Sequence, residues 1–216
     1  MMSTCRCEGE HLADRRFAII GHRAKSNGKL NINDLAGSGG RMDVLVRAIN
    51  SALFLSHGIR KDTHITIHMM GGEGPPRRIW FDGAKVWGLH PDERAIAGHI
   101  AKVIAEPVPA RGHWVEHQPG IWHSGGDLSV TLNEWSKEGV EMVKLDAEAT
   151  AFSEHYNTTI PSSIGFFLSD DQPFSDAENI LLKKYTNPIS LGKKWVQGHT
   201  AIGVVHHLLD SIIDQQ

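Results

Sequence analysis

Residues 187–209 combine a short apolar strand, a polar loop and an apolar helix, an order that is typical of ligand sites. The strand ends in Ser190-Leu191-Gly192, and an apolar helix is predicted from Thr200. Such a turn offers unpaired backbone N–H groups to a ligand at the carboxyl end of a strand. A second apolar strand, 163–168, ends similarly in Ser169-Asp170-Asp171. The two strand ends predict a small-molecule site near the C-terminus.

Cysteine and histidine residues do not predict a metal site. Cys5 and Cys7 are the only cysteines, and their spacing is narrower than zinc sites normally use. His11 lies nearby, but two thiols and one imidazole are an incomplete ligand set. The fourteen histidines are scattered along the chain, without a helical pair beside a carboxylate. We therefore expect no bound metal.

Length, charge and hydropathy indicate one water-soluble domain. The 216 residues, 40% of them apolar, suffice for a substantial core. No apolar run approaches the roughly eighteen residues of a membrane span, and the first ten residues lack the apolar core of a signal peptide. A net charge of -3 excludes an overall basic protein but allows a local basic face. We expect a cytoplasmic location and no membrane partner.

Apolar periodicity predicts an α/β chain in which helices interleave with strands, which favours a parallel sheet. No linker indicates a second domain, so we expect a disordered tail over 1–15 and one domain over 16–216. No element is predicted in 24–38 or 106–126. The predicted strands are 16–21, 63–70, 78–83, 140–145, 163–168 and a short one from 187, and the predicted helices are 41–57, 91–104, 128–138, 176–184 and 200–213.

Several common catalytic motifs are absent from the sequence. No Gly-x-Gly-x-x-Gly opens a helix after the first predicted strand. Gly37-Ser38-Gly39-Gly40 precedes a helix, but it lacks the lysine of a phosphate-binding loop and reads as a flexible turn. There is no Gly-x-Ser-x-Gly for a hydrolase nucleophile. Nicotinamide-dependent enzymes, nucleoside triphosphatases and serine hydrolases are therefore disfavoured.

Seven motifs follow one another in the chain from residue 16 onward. They are Gly37–Leu45, Asn50–Asp62, Gly88–Arg94, Gln118–Ile121, Leu168–Asp170, Ile189–Gly192 and His206–Asp210. In this order they resemble a known family, the archaeal tRNA pseudouridine-54 N1-methyltransferases of the SPOUT class. Residues 1–15 lie outside the resemblance.

The resemblance implies a SPOUT-type α/β fold: a mostly parallel sheet with helices on both faces and a C-terminal trefoil knot. It also implies a homodimer that binds S-adenosylmethionine. Apolar side chains such as Leu191 are suited to adenine, and Gly192 allows a close approach of the backbone. By position, the cofactor contacts are expected at Leu145, Ser169, Ile189, Ser190, Leu191, Gly192, Lys193, Lys194 and Ala201.

Methylation at N1 of pseudouridine requires alignment of N1 with the methyl group and loss of one proton. Asp43 is the candidate acid, base or positioning residue, and Arg41 the candidate to hold the flipped base or a phosphate. Arg60 and Lys61 are expected to contact the tRNA backbone. The plainer interpretations stay open: Asp43 stabilises its helix N-terminus, and Arg60 and Lys61 are ordinary solvated charges.

The sequence departs from the family pattern at three positions. Asp171 stands where relatives usually carry His after the Ser-Asp pair, which changes the local charge. Lys193 stands where Pro is common. Ala201 replaces a common Cys and keeps a small apolar contact, so cofactor binding is expected to survive.

The expected activity is methylation of pseudouridine 54 in the T-loop of tRNA. Two alternatives stay open: the same chemistry on ribosomal RNA, and a catalytically inactive RNA-binding module that keeps the knotted fold. The apolar helices 41–57 and 200–213 are candidates for a dimer interface, although an apolar helix face is more often covered by its own sheet.

Overall fold

The computed structural model describes residues 14–215, which form one eight-stranded sheet, a small hairpin and six helices. The strands are β1 (Asp14–Lys25), β2 (Phe54–Leu55), β3 (Gly58–Ile59), β4 (Thr63–Gly71), β5 (Arg77–Asp82), β6 (Val115–Gln118), β7 (Ile121–Gly125), β8 (Glu141–Leu145), β9 (Ser163–Ser169) and β10 (Asn187–Ile189). The helices are α1 (Met42–Leu53), α2 (Glu93–Ile104), α3 (Leu128–Lys137), α4 (Phe152–His155), α5 (Asp176–Tyr185) and α6 (Gly198–Ile213).

The large sheet has the strand order β10-β8-β9-β1-β4-β5-β7-β6. The five strands from β10 to β4 pair in parallel. Strands β5, β7 and β6 extend the sheet by antiparallel pairing. The parallel strands all end at one side of the sheet, here named the carboxyl edge, and begin at the other, here named the amino edge. Loops from distant parts of the chain therefore meet at the carboxyl edge.

Helices cover both faces of the sheet, as predicted. One face packs against α1, α2 and α6 through a core that includes Phe17, Ile67 and Phe166. The other face packs against α3 and α5 through a smaller core around Ala18 and Phe167. Alternate residues of β1 and β9 enter opposite cores, because successive side chains of a strand point to opposite faces. Both faces of these central strands are therefore buried.

Local sequence signals explain where several helices begin. The Asp92 side chain accepts a hydrogen bond from the backbone N of Ala95 over 2.9 Å, which fixes the start of α2. The predicted start at Pro91 is therefore two residues early. Ser175 and Glu178 form a reciprocal capping box at the start of α5.

Besides the start of α2, the predictions differ from the structure in four regions, one of which is the short helix α4, which was not predicted. The helix predicted over 41–57 ends at Leu53, because Phe54 is extended and β2 pairs with β3 in a hairpin. Residues 106–126, where no element was expected, contain β6 and β7. The first strand begins at Asp14 and continues to Lys25, so it includes two residues of the predicted tail and two of the predicted loop.

Predictions for Cys5, Cys7 and His11 concern residues outside the described range. Within 14–215, no helix is both long and apolar enough to cross a membrane. The trefoil knot and the homodimer stay predictions.

Candidate functional site

A cavity of about 460 Å³ opens at the carboxyl edge of the sheet. Its walls come from the loops that follow β8, β9 and β10 and from the first turn of α6. These segments are far apart in sequence and meet because their strands are parallel neighbours. The volume lies within the range typical of small-molecule sites.

Most of the residues predicted to contact a cofactor line this cavity, and the others lie immediately beside it. Ile189 is fully buried in the core, Ser190 is 6% exposed, and Lys193 is exposed on the surface. None of these three lines the cavity. The predicted residues that do are Leu145, Ser169, Leu191, Gly192, Lys194 and Ala201.

Ser190 holds two walls of the cavity together. Its Oγ lies 3.0 Å from the carbonyl oxygen of Gly192 and 3.3 Å from that of Ala147. The backbone N of Gly192 donates to Ser190 Oγ over 3.0 Å. Gly192 has a φ of 134°, a conformation that favours glycine. Ser190 is thus placed to shape the loop rather than to line the cavity.

The start of α6 presents free backbone donors to the cavity. No side chain caps this helix at Gln197, and the first N–H groups of any helix lack partners within the helix. Gly198 and Ala201, in its first turn, line the cavity. This arrangement suits a ligand with polar or negatively charged groups.

Further lining residues were not singled out by the sequence analysis. Most of them adjoin the predicted residues in the same loops, so proximity in sequence was the available signal, whereas Asn179 reaches the cavity from α5. They include Asp146, Phe174, Asn179 and Trp195.

A cluster of charged residues borders the cavity at Asp171. It is named here the arginine cluster and consists of Arg23, Arg41, Arg47, Asp43 and Asp171. Arg41 donates to the two carboxylate oxygens of Asp43 over 2.9 and 3.2 Å. Its Nη1 donates to Asp171 Oδ2 over 3.0 Å. Arg23 also donates to Asp171, and Arg47 donates to Asp43. The structure therefore brings Arg41 and Asp43 to the rim of the predicted cofactor site.

The arginine cluster favours the ionised form of Asp43. Burial alone would raise the pKa of Asp43, but the hydrogen bonds from Arg41 and the charges of Arg41 and Arg47 outweigh it. The pKa of Asp43 therefore lies below its ordinary value. An anion held by two cations is a weak proton acceptor but an effective anchor for Arg41.

His22, which the sequence analysis did not identify, joins β1 to the cavity wall. Its Nδ1 lies 2.9 Å from Asp170 Oδ1, and its Nε2 lies 3.0 Å from Glu178 Oε2. The hydrogen bonds to Asp170 and Glu178 raise the pKa of His22 to about 9. The imidazole is therefore cationic at neutral pH. It holds the carboxylate of Asp170, which is 1% exposed, behind the cavity.

Arg60 and Lys61 lie at the amino edge, away from the cavity. Arg60 binds Asp210 through two hydrogen bonds, of 2.6 and 3.2 Å, and its side chain is 16% exposed. Lys61 is exposed, and its Nζ donates to the carbonyl of Gly83 over 3.1 Å. The structure does not bring these residues together with Arg41 and Asp43.

No group of three or more His, Cys, Asp or Glu side chains within residues 14–215 is arranged to hold a metal ion. His22 with Asp170 and Glu178 forms a hydrogen-bonded ion cluster instead.

Comparison with known families defines the class of protein. Residues 14–213 match a family described as SAM-dependent RNA methyltransferases. The chain belongs to this family, and the family resemblance expected from the sequence motifs is confirmed. The cofactor of this family is S-adenosylmethionine.

Within this family the chain is similar to archaeal enzymes named tRNA (pseudouridine(54)-N(1))-methyltransferase. The relative from Methanospirillum hungatei is 38% identical over 90% of this chain and 95% of its own length. Those from Haloarcula marismortui and Methanococcoides burtonii are 36% and 34% identical, each over 91% of this chain and 96% of their own length. The similarity thus spans nearly the whole length of each protein.

A solved structure supports the fold. Archaeoglobus fulgidus Nep1, bound to S-adenosylhomocysteine, matches with a TM-score of 0.64 at 13% identity, over 93% of this chain and 99% of that one. At this identity the likeness shows the fold alone. It confirms the predicted α/β architecture.

Proposed function

We propose that this protein methylates N1 of pseudouridine 54 in the T-loop of tRNA, with S-adenosylmethionine as methyl donor. The observation that carries the proposal is the junction, at Asp171, between the carboxyl-edge cavity and the arginine cluster. A site for a small cofactor thus borders a site of positive charge. The names of the archaeal relatives supply the target base and position.

The cavity fits the proposed cofactor in size and in chemistry. Leu168, Leu191 and Ala201 offer apolar contacts suited to adenine, while the loops and the uncapped start of α6 offer polar groups. We propose all nine predicted cofactor residues for this site, with Ile189 and Ser190 shaping the loop from behind and Lys193 and Lys194 contributing through their backbone. When bound, S-adenosylmethionine supplies a methyl group already activated on a sulfonium.

We propose that the arginine cluster positions the nucleotide. Arg41 holds the base or a neighbouring phosphate, and Asp43, as a permanent anion, fixes the orientation of Arg41. Methylation replaces the N1–H bond with an N1–C bond, and one proton is released to solvent. Alignment of the reacting atoms is the main contribution required of these side chains. Asp43 is thus a positioning residue in this proposal.

Arg60 and Lys61 are proposed to contact the RNA backbone at the amino edge. The nine residues of β4 separate the two edges, about 30 Å at about 3.3 Å per residue. The RNA would therefore extend along the protein from the carboxyl edge. We also propose the homodimeric state and the cytoplasmic location expected from the sequence.

Labelled S-adenosylmethionine and two tRNA transcripts test the function. One transcript carries pseudouridine at position 54, and the matched control carries uridine there. Label transfer to the pseudouridine transcript alone is the expected result. Transfer only to ribosomal RNA would identify the alternative substrate. If the protein binds S-adenosylhomocysteine but transfers label to no tRNA transcript and to no ribosomal RNA, the proposed activity is wrong. If it also fails to bind S-adenosylhomocysteine, the protein is a non-catalytic module.

A further inference from the structure

Trp195 is an exposed aromatic residue at the mouth of the cofactor cavity. It belongs to residues 191–197, named here the Trp195 loop, which joins β10 to α6. Its side chain is 70% exposed and also lines the cavity. Within residues 14–215, the indole has no hydrogen bond or ring contact. Tryptophan is usually largely buried, so such exposure beside a site suggests a binding role.

The Trp195 loop is anchored at both ends. Hydrogen bonds between Ser190 and Gly192 hold its start. The backbone N of Ala201 donates to the carbonyl of Gln197 over 2.9 Å, which begins α6 at its other end. Trp195 is therefore confined to the cavity mouth, although its ring is free of partners in the described chain.

Lys193 and Lys194 give the Trp195 loop a positive charge. Both are exposed, the loop contains no acidic residue, and neither lysine forms an ion pair with any described residue. Arg23, Arg41 and Arg47, by contrast, are paired with carboxylates. An open aromatic ring beside unpaired cations is the combination that binds unpaired nucleotides, through base stacking and phosphate attraction.

We propose that Trp195 stacks on an unpaired nucleobase next to the nucleotide that is methylated, while Lys193 and Lys194 contact its phosphates. The inference rests on the proposed RNA methyltransferase function and assigns a further part of the RNA site. A second copy of the chain is disfavoured as the partner of this loop. Two copies meeting here in a symmetric contact would bring four unpaired lysines together.

The first test compares Trp195→Ala with Trp87→Ala, measuring affinity for a pseudouridine-containing T-arm stem–loop. Trp87 is a matched control because it is 80% exposed and follows β5, whose end lies at the amino edge. Loss of one base stack predicts RNA affinity reduced about tenfold to hundredfold for Trp195→Ala, and a much smaller change for Trp87→Ala, which lies far from the cavity. Affinity for S-adenosylhomocysteine should stay within about twofold in both variants.

Fluorescence gives a direct readout of stacking. Titration with the stem–loop should quench tryptophan emission in the wild type and in Trp87→Phe, and this quenching should be largely lost in Trp195→Phe. Lys193→Ala should reduce the salt dependence of RNA binding by about one unit of slope, while Lys102→Ala, on α2, leaves it unchanged.

Several results would overturn the inference while leaving the proposed function intact. One is wild-type RNA affinity in Trp195→Ala together with normal methyl transfer. Another is an equal loss of S-adenosylhomocysteine affinity, which would assign Trp195 to the cofactor. A third is sedimentation of Trp195→Ala as a monomer where the wild type sediments as a dimer, which would assign Trp195 to a subunit interface. If the wild type neither binds nor methylates the RNA, the proposed function and this inference are both wrong.

Discussion

Asp43 illustrates how neighbouring side chains decide what a carboxylate does. A carboxylate near a reacting N–H group invites assignment as a general base. The two arginines that bind Asp43 lower its pKa and leave it ionised, so it lacks the basicity that proton removal near neutral pH favours. Its strongest contribution is to fix Arg41, which also contacts Asp171 at the cavity rim.

Asp43→Asn should lower kcat of methyl transfer about tenfold to hundredfold, because Arg41 loses its anchor. Affinity for S-adenosylhomocysteine should change little. The wild-type kcat profile should show no inflection from Asp43 between about pH 5 and 9, because its pKa lies lower. An acidic limb that is present in the wild type and abolished in Asp43→Asn would instead identify Asp43 as the base.

His22 should make stability depend on pH. Its folded pKa of about 9 lies above the ordinary value of 6.5. The stabilisation is therefore fully present below about pH 6.5 and is lost as the pH rises through about 9. The wild type should have a clearly higher Tm than His22→Gln at about pH 6, and this difference in Tm should have disappeared at about pH 10. An NMR titration of the His22 ring with a midpoint near its ordinary pKa would contradict this.

At the scale of elements, the strand-to-helix connection from β10 to α6 forms one wall of the cavity. In this connection Gly192 has a positive φ. A residue with a Cβ would adopt the same backbone conformation only with about 1–3 kcal/mol of strain. Gly192→Ala should therefore displace the loop and weaken S-adenosylhomocysteine binding about tenfold. Calorimetry measures the effect.

Gly139→Ala is the matched control for this prediction. Gly139 has a φ of 73° and lies between α3 and β8, at the amino edge. Its φ is also positive, so alanine is strained there as well, but Gly139 does not line the cavity. Gly139→Ala should therefore lower Tm and leave ligand affinity unchanged. An equal loss of affinity in both variants would mean that general destabilisation, rather than the loop path, explains the effect of Gly192→Ala.

Most helices and parallel strands could be predicted because their apolar spacing matches their burial. Strands β6 and β7 could not, because several of their polar and aromatic residues contact partners elsewhere in the chain. His123 lies 3.1 Å from a Glu106 carboxylate, and Trp122 stacks on Trp80 at 4.6 Å between ring centroids. Because polar and aromatic residues occupy such positions, the sequences of β6 and β7 do not alternate regularly between polar and apolar residues.

The candidate site was only partly predictable for a related reason. Motifs identify residues near in sequence, and these led to the loops after β9 and β10. The contact between Arg41 and Asp171 joins residues 130 positions apart. His22 and Arg60 likewise acquire their partners only when the sheet assembles, so their ion pairs could not be inferred from local pattern.

At the scale of the whole molecule, a buried ion network closes the amino edge. Arg15, 1% exposed, lies 3.1 Å from Asp62 and 2.7 Å from Asp210, which also binds Arg60. Burial lowers the pKa of His206 to about 3, so its neutral ring can accept a hydrogen bond from Arg15 at 3.2 Å. The network fastens α6 to the starts of β1 and β4.

Asp210→Asn should lower the free energy of unfolding by about 1–3 kcal/mol, because it leaves Arg15 and Arg60 poorly compensated. S-adenosylhomocysteine affinity should be retained, because the cavity lies at the other edge.

Burial would raise the pKa of Asp210, but hydrogen bonds from Arg60 and Arg15 lower it overall. Its stabilisation is therefore present above the ordinary pKa and lost as the pH falls below it. Chemical denaturation at several pH values measures both effects.

Arg60→Ala and Lys61→Ala separate support of the fold from RNA binding. Arg60→Ala should destabilise the protein, because Asp210 loses a partner. Lys61→Ala should leave Tm nearly unchanged and weaken tRNA binding about twofold to fivefold, with a smaller salt dependence. Unchanged tRNA binding in Lys61→Ala would show that the RNA does not reach the amino edge at this lysine.

The outermost strands of the sheet bear on self-association. β10 has three residues, one of them Pro188, and β6 at the other end has four. A proline has no N–H to donate, and such short edges offer few free backbone groups to a strand from another molecule. The eight-stranded sheet is therefore poorly suited to grow by edge-to-edge addition.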